Sequence, residues 1–246
     1  MTNDLKTIGL DFPTWVDAVE AAISSGQLVV TGELGDGQLV QFDDPSGARI
    51  VILAADPYST WAGFASTTTA TGHVSMIDHT LAYIEFIDDD GQQIAAVCAT
   101  LAQGPLLVNE PVLPWQEVAI TALGIDVTLH DPSDPSCPTQ GRIESPGAKI
   151  IAEHDGSKTP DAAAVITARL EGAEYRINSL TGQRFIHATL RTPFALDIVL
   201  ADADTLPADG TVVTGTVALA ASVNPPAGCG GGRAGGCGCG GGGCGC

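Results

Sequence analysis

The chain has 246 residues, 44% of them apolar, which suffices for one large domain or two of ordinary size built round packed cores. Its 29 acidic and 10 basic side chains give a formal charge of −19. That charge repels phosphate backbones and anionic head groups, so neither nucleic acid nor a membrane surface is an expected partner.

No basic stretch leads into an apolar one between Met1 and Lys6, and the longest apolar runs, such as residues 50–55, are too short to span a bilayer. A cytoplasmic location is the expectation. In chain order, the first element is a helix in which Trp15, Val19, Ala22 and Ile23 recur at helical spacing. Thr14 with Asp17 resembles a capping box, and Gly26 is placed to stop the helix. Short β-type runs follow at 27–31, 38–42, 49–54, 81–87 and 93–100, with Asp90-Gly91 as a turn between the last two.

A second helix is predicted from Trp115 through Ala119, Ala122 and Leu123 to Gly124. Further strands are predicted at 149–153, 164–170, 173–177, 185–191, 196–201 and 211–222, with Leu180-Thr181-Gly182-Gln183 as a corner. The two tryptophans are expected to anchor their helices on a sheet.

The two series echo each other. Pro13-Thr14-Trp15-Val16-Asp17 matches Leu113-Pro114-Trp115-Gln116-Glu117, and Ser46-Gly47-Ala48-Arg49-Ile50 matches Pro146-Gly147-Ala148-Lys149-Ile150, each at an offset of 100 positions. The offset then slips by two, so that Tyr83-Ile84 lies over Phe185-Ile186 and Val97-Cys98-Ala99 over Val199-Leu200-Ala201. Such a period is of domain size, beyond that of solenoid units. The expected organisation is an N-terminal arm at 1–9, a β-rich repeat at 10–109, a second at 110–223 and a flexible tail at 224–246, with the boundary near Asn109-Glu110-Pro111. The fold class expected is mainly β with one helix per half (α+β): tandem duplicated small barrels or sandwiches, with an oligonucleotide/oligosaccharide-binding-like (OB-like) barrel among them, plus a disordered Gly/Cys tail.

The segment Tyr175-Arg176-Ile177-Asn178-Ser179-Leu180-Thr181-Gly182-Gln183-Arg184-Phe185, followed by Ala188, Arg191-Thr192, Asp197-Ile198-Val199 and Gly215, resembles a small β-barrel domain of uncharacterised bacterial proteins. The resemblance covers residues 164–222 and implies strand and turn positions; no catalytic function comes with it.

Five of the seven cysteines, Cys229, Cys237, Cys239, Cys244 and Cys246, sit in a nearly all-glycine terminus that cannot build a core. Four or five thiolates suit a soft metal, zinc or copper(I), and a glycine backbone bends freely enough to gather them. Ordering the segment opposes this, at about 1–2 kcal/mol per residue against the roughly 10–16 kcal/mol of a structural zinc site. The last four cysteines closing a small loop is therefore the economical form of such a site. Every tail cysteine also follows a glycine, as in precursors of thiazole-containing peptides, which offers a rival reading of the body as a recognition leader.

Elsewhere, Cys98 reads as a small core residue. His73, Asp78 and His79 form a local cluster, while His130 and His154 flank turns. Asp88-Asp89-Asp90-Gly91 lacks the ligand spacing of a calcium loop, and Gly35-Asp36-Gly37 reads as a turn. Arg169, Arg176, Arg184 and Arg191 fall on or beside consecutive predicted strands and could form a patch that docks the acidic first half or an acidic partner. No catalytic or cofactor-binding constellation is assigned. The function expected is a non-enzymatic two-domain binding or scaffold protein with a protein partner and a metal-ligating tail; a modified-tail precursor comes second, and an enzyme of unassigned type third.

Overall fold

A computed structural model describes residues 3–35, 37–133, 138, 141–154, 156–191 and 193–223. The tail cysteines Cys229, Cys237, Cys239, Cys244 and Cys246 lie outside the described residues, as do Asp36 and Cys137. The molecule is mainly β. Two helices, α1 (Asn3–Lys6) and α2 (Trp15–Ser24), precede an antiparallel meander of β1 (Val29–Leu34), β2 (Gly37–Asp43), β3 (Ala48–Ala54) and β4 (Ser59–Phe64). Then come β5 (Thr69–Met76), β6 (Leu81–Ile87), β7 (Gln93–Leu101), α3 (Gly104–Leu107), β8 (Leu113–His130), β9 (Arg142–Glu144), α4 (Pro146–Ala152), β10 (Ala163–Arg169), β11 (Glu171–Ile177), β12 (Arg184–Leu190), β13 (Leu196–Ala201) and β14 (Val212–Val223).

The backbone of the design is a long antiparallel ribbon in which β8 pairs with β14 from Val118↔Val223 to His130↔Val212. At one end of the ribbon β5 pairs with β8, β6 joins β5 to β7, and β7 runs parallel to β14, closing a five-stranded barrel. At the other end β13 runs parallel to β8 and carries β12 and β11, while β10 and β9 extend the opposite edge from β14. One apolar core runs through both ends, and Phe86 of β6 stacks on Phe194 at 3.9 Å. The order β5–β6–β7 at one end is thus matched by β11–β12–β13 at the other. In each case the third strand pairs in parallel with a strand of the ribbon.

The first helix forms as its sequence predicts. Thr14 Oγ1 accepts the Asp17 N–H at 3.2 Å, the Asp17 carboxylate accepts the Thr14 N–H at 3.0 Å, and Gly26 follows at φ +67°. The helix predicted at Trp115–Leu123 is instead part of β8. Val118, Ile120, Ala122 and Leu123 are all buried, and a strand covered on both faces satisfies a helical spacing of apolar residues as well as a helix does. Its β-branched Val118, Ile120, Thr121, Ile125, Val127 and Thr128 favour extended backbone. Trp115 is accordingly no anchor: it sits at φ +55° and is 60% exposed, its N–H donating to His73 Nδ1 at 3.2 Å.

The strand predicted at 149–153 is largely taken up by α4. Ser145 Oγ accepts the Ala148 N–H at 3.2 Å and Pro146 opens the first turn, a start signal that outweighs the short apolar run at Ile150-Ile151. The matches at an offset of 100 therefore join unlike elements, helix with strand and a turn with a helix, whereas those slipped by two pair β6 with β12 and β7 with β13. The strands at 59–64 and 69–76, unmarked by strong alternation, complete the meander and the barrel.

Gly215 sits mid-ribbon at φ +135°, where a Cβ would come within 2.2 Å of the Asp126 carbonyl oxygen. Gly215→Ala is expected to lower unfolding stability by at least about 2 kcal/mol, and Gly172→Ala, strained only in φ, by about 1 kcal/mol; urea midpoints check both.

Candidate functional site

The largest concentration of buried ionisable chemistry lies where the meander is seated on the ten-stranded sheet. Asp197 of β13 has no solvent exposure, and its carboxylate accepts four hydrogen bonds. Oδ2 takes the Thr67 N–H at 2.7 Å, the Thr67 hydroxyl at 2.9 Å and His187 Nε2 at 2.8 Å, while Oδ1 takes the Thr68 hydroxyl at 2.8 Å. Thr67 and Thr68 belong to the link between β4 and β5; His187 belongs to β12, two positions from Asp197 in the pairing register and so on the same face.

Burial opposes ionisation of Asp197, but the donors from His187, Thr67 and Thr68 together outweigh it and hold the carboxyl below the usual carboxylate range. An ionised Asp197 makes Nε2 of His187 the donor. Nδ1 then faces the Glu174 carboxylate at 3.5 Å and has no hydrogen-bond partner, while Phe64 of β4 stacks on the ring at 5.6 Å and 17°. Both ring nitrogens are thus turned to carboxylates. The two nearby threonine hydroxyls donate to Asp197, so the constellation ties the link between β4 and β5 to β13. Thr121, beside Asp197 on β8, has a buried hydroxyl with no partner.

A second buried carboxylate repeats the arrangement. Asp44, in the turn between β2 and β3, accepts the N–H groups of Ser46 and Ser179 at 2.9 Å each and both serine hydroxyls. Its burial also opposes ionisation, and the Ser179 and Ser46 donors again prevail, lowering its pKa. Ser179 lies in the turn between β11 and β12, so this bond too crosses from meander to sheet.

The arginines take their places around this seam. Arg176 pairs with Glu174 at 2.7 Å, donates to the Ser46 carbonyl at 3.1 Å and lies over the Phe64 ring, docking on the first half as its position on the strand suggested. The others form no open patch: Arg184 pairs with Asp202 and covers Tyr175, Arg191 pairs with Glu171, and Arg169 donates to the Gly210 carbonyl.

Cys98 is fully buried against Leu81 and Ala148, and burial, aided by Asp161, pushes its thiol up to about 11, so it is a core residue with little thiolate character. Its N–H donates to Ser145 Oγ, the same oxygen that caps α4. Asp88 closes the β6–β7 hairpin by accepting from Asp90 and Gln92. His130 bonds Thr214, His154 contacts the Ala152 carbonyl, and His79 lines an open groove of about 310 Å³ with Leu34, Leu53, Ala55, Pro57 and Pro105. Among the described residues no group of three or more His, Cys, Asp or Glu is arranged to hold a metal ion, and no helix is long and apolar enough to cross a membrane.

The seam was not read from sequence because Thr67 and Asp197 lie 130 positions apart. One signal was present: Asp197 is a lone charge inside the apolar run Leu196–Ala201, and a carboxylate there must be paired. Comparison with protein-family models, with curated proteins and with solved structures returned no match to this chain.

Because the carboxyls of Asp44 and Asp197 are held low in the folded chain, their stabilisation is complete above the unfolded carboxylate pKa and is lost as pH falls through the folded values. Urea stability is expected to decline below about pH 4, with a shallower decline in Asp197→Asn. At pH 7 the same substitution should cost about 2 kcal/mol, since it leaves donors from two elements poorly matched.

Proposed function

We propose that this chain is a non-enzymatic, two-repeat binding or scaffold protein that acts with a protein partner and carries a tail ligating zinc or copper(I). The observation that carries the reading is the use made of buried charge: Asp44 and Asp197 each accept hydrogen bonds that cross between the meander and the large sheet. Such groups hold a platform rigid. Rigid elements that position surface groups are what a binding scaffold needs.

Two related repeats, 10–109 and 110–223, are supported by the likeness of the meanders β5–β6–β7 and β11–β12–β13, each of which sets its third strand parallel to a strand of the ribbon, β7 to β14 and β13 to β8. The closed order β5–β6–β7–β14–β8 is that of a five-stranded Greek-key barrel, which supports an OB-like description, and residues 164–222 keep their resemblance to a small barrel domain of uncharacterised bacterial proteins. The mostly apolar groove beside His79 is of a size that takes a small ligand or a partner's side chains.

In the tail, Cys229, Cys237, Cys239, Cys244 and Cys246 supply the thiolates, and closure by the last four keeps the ordered loop short. The Gly-Cys pattern also favours a second reading, a tail cyclised to thiazole-type rings with the body as leader.

Metal analysis of reductively purified protein is expected to find zinc or copper in the full chain and little in a chain ending at residue 227. Equal content in both removes the metal reading, and an intact mass short by one water per cyclised cysteine, with two further hydrogens lost from each ring oxidised to a thiazole, in protein from the native host selects the cyclised tail.

A further inference from the structure

We propose that the groove beside His79 is the docking site of this chain's own segment Asn224-Pro225-Pro226-Ala227-Gly228, which follows β14 directly. The groove, of about 310 Å³ and mostly apolar, is lined by Leu34 at the end of β1, Leu53, Ala55 and Pro57 at and after the end of β3, His79 in the β5–β6 turn, and Pro105 of α3.

The point at which β14 ends lies at one wall of this groove. β14 runs parallel to β7, with Ala220 beside Thr100 and Ala221 beside Leu101, and the two chains stay together past the paired residues. The Ala102 N–H donates to the Ala221 carbonyl at 2.9 Å, and the Val223 N–H donates to Gln103 Oε1 at 3.1 Å. Gln103 is the N-cap of α3, so Val223 stands beside the residue that opens the helix contributing Pro105 to the groove. Ala102, bonded to Ala221, also belongs to the apolar cluster that holds Leu53, with Leu34 and Ala55 packed against it. At the same helix start, a Cβ on Gly104 would come within 2.5 Å of the His79 carbonyl oxygen, which sets the β5–β6 turn against α3. Five extended residues reach about 16 Å, against about 6 Å for the length of a four-residue helix, so the segment is long enough to pass along the groove.

Composition selects this occupant. The segment carries no charged side chain, and its two adjacent prolines favour an extended polyproline conformation that has little backbone freedom left to lose on docking. Residues 224–246 hold a single charged side chain, Arg233, so the segment meets none of the repulsion that a second copy of a molecule with formal charge −19 would meet. Its tether to Val223 holds it at an effective concentration of order 1 mM, which fills a site too small to retain a free peptide of the same sequence. A partner or small molecule that uses the groove must displace it. Docking fixes where the tail leaves the body and needs no metal, so it stands apart from the chemistry of the tail cysteines.

The test compares the full-length wild type with the full-length double variant Pro225→Asp, Pro226→Asp, in reductant and chelator so that thiols and metal play no part. Both substitutions lie beyond the last strand, and the far-ultraviolet spectrum is expected to be unchanged. The amide resonances of Leu34, Ala55, His79 and Val108 should differ between the two proteins, while those of β11, at the far edge of the large sheet, coincide. A capped peptide of residues 224–228 should return the variant's groove resonances towards their wild-type positions with a dissociation constant of about 0.1–0.5 mM, and should bind the wild type at least about threefold more weakly, because the tethered segment competes. Groove resonances that coincide in the two proteins, a peptide that binds both equally, or a peptide that shifts neither overturns the proposal.

Discussion

The rest of the molecule depends on how the four-stranded meander is held to the large sheet. Apolar contact supplies the bulk of it: Phe42, Ile50 and Phe64 from the meander meet Leu123, Phe185, Val199 and Ala220 from the sheet, with Leu5, Ile8 and Leu10 of the N-terminal segment beneath. Such contact is non-directional and would tolerate several seatings. Asp44 and Asp197 remove that freedom, because a buried carboxylate that loses its donors carries a desolvation cost of several kcal/mol. Each accepts bonds that cross the seam, one at the turn between β2 and β3 and the other at the link leaving β4. With both satisfied, a single orientation remains.

The seam also explains the placement of His187 and Arg176. His187 bridges towards Asp197 and Glu174 while its ring lies flat on Phe64, and Arg176 closes the other side of Glu174 and reaches the Ser46 carbonyl. Phe64 therefore has imidazole on one side and guanidinium nearby, both drawn from the second half of the chain. Charges that would form an exposed patch if read strand by strand are consumed in holding the halves together.

The architecture has a matching economy in its backbone. A single ribbon of β8 and β14 serves both ends, although each is built from a local three-stranded meander. The local hairpins β5–β6, β6–β7, β11–β12 and β12–β13 close over short loops, while the ribbon closes over about a third of the chain and costs more loop entropy than any of them. Gly215 is required where the two ribbon backbones pass closest.

Local chemistry was legible in the amino-acid order. The strands at 81–87 and 196–201, the capped helix after Thr14, the Asp90-Gly91 turn and the burial of Cys98 all follow from neighbours within a few positions. Two elements were decided otherwise. Residues 113–130 are extended because both faces are covered by strands distant in the chain, which makes a helical spacing of apolar residues uninformative; residues 146–152 are helical because Ser145 is held by Cys98 of β7 as well as by its own turn. Which strands meet, and hence that Thr67, Thr68, His187 and Asp197 form one cluster, was set by tertiary structure alone. Side-chain periodicity records which face is buried but not against what, and the pairing of β8 with both β5 and β13 brings residues 130 positions apart within hydrogen-bonding distance.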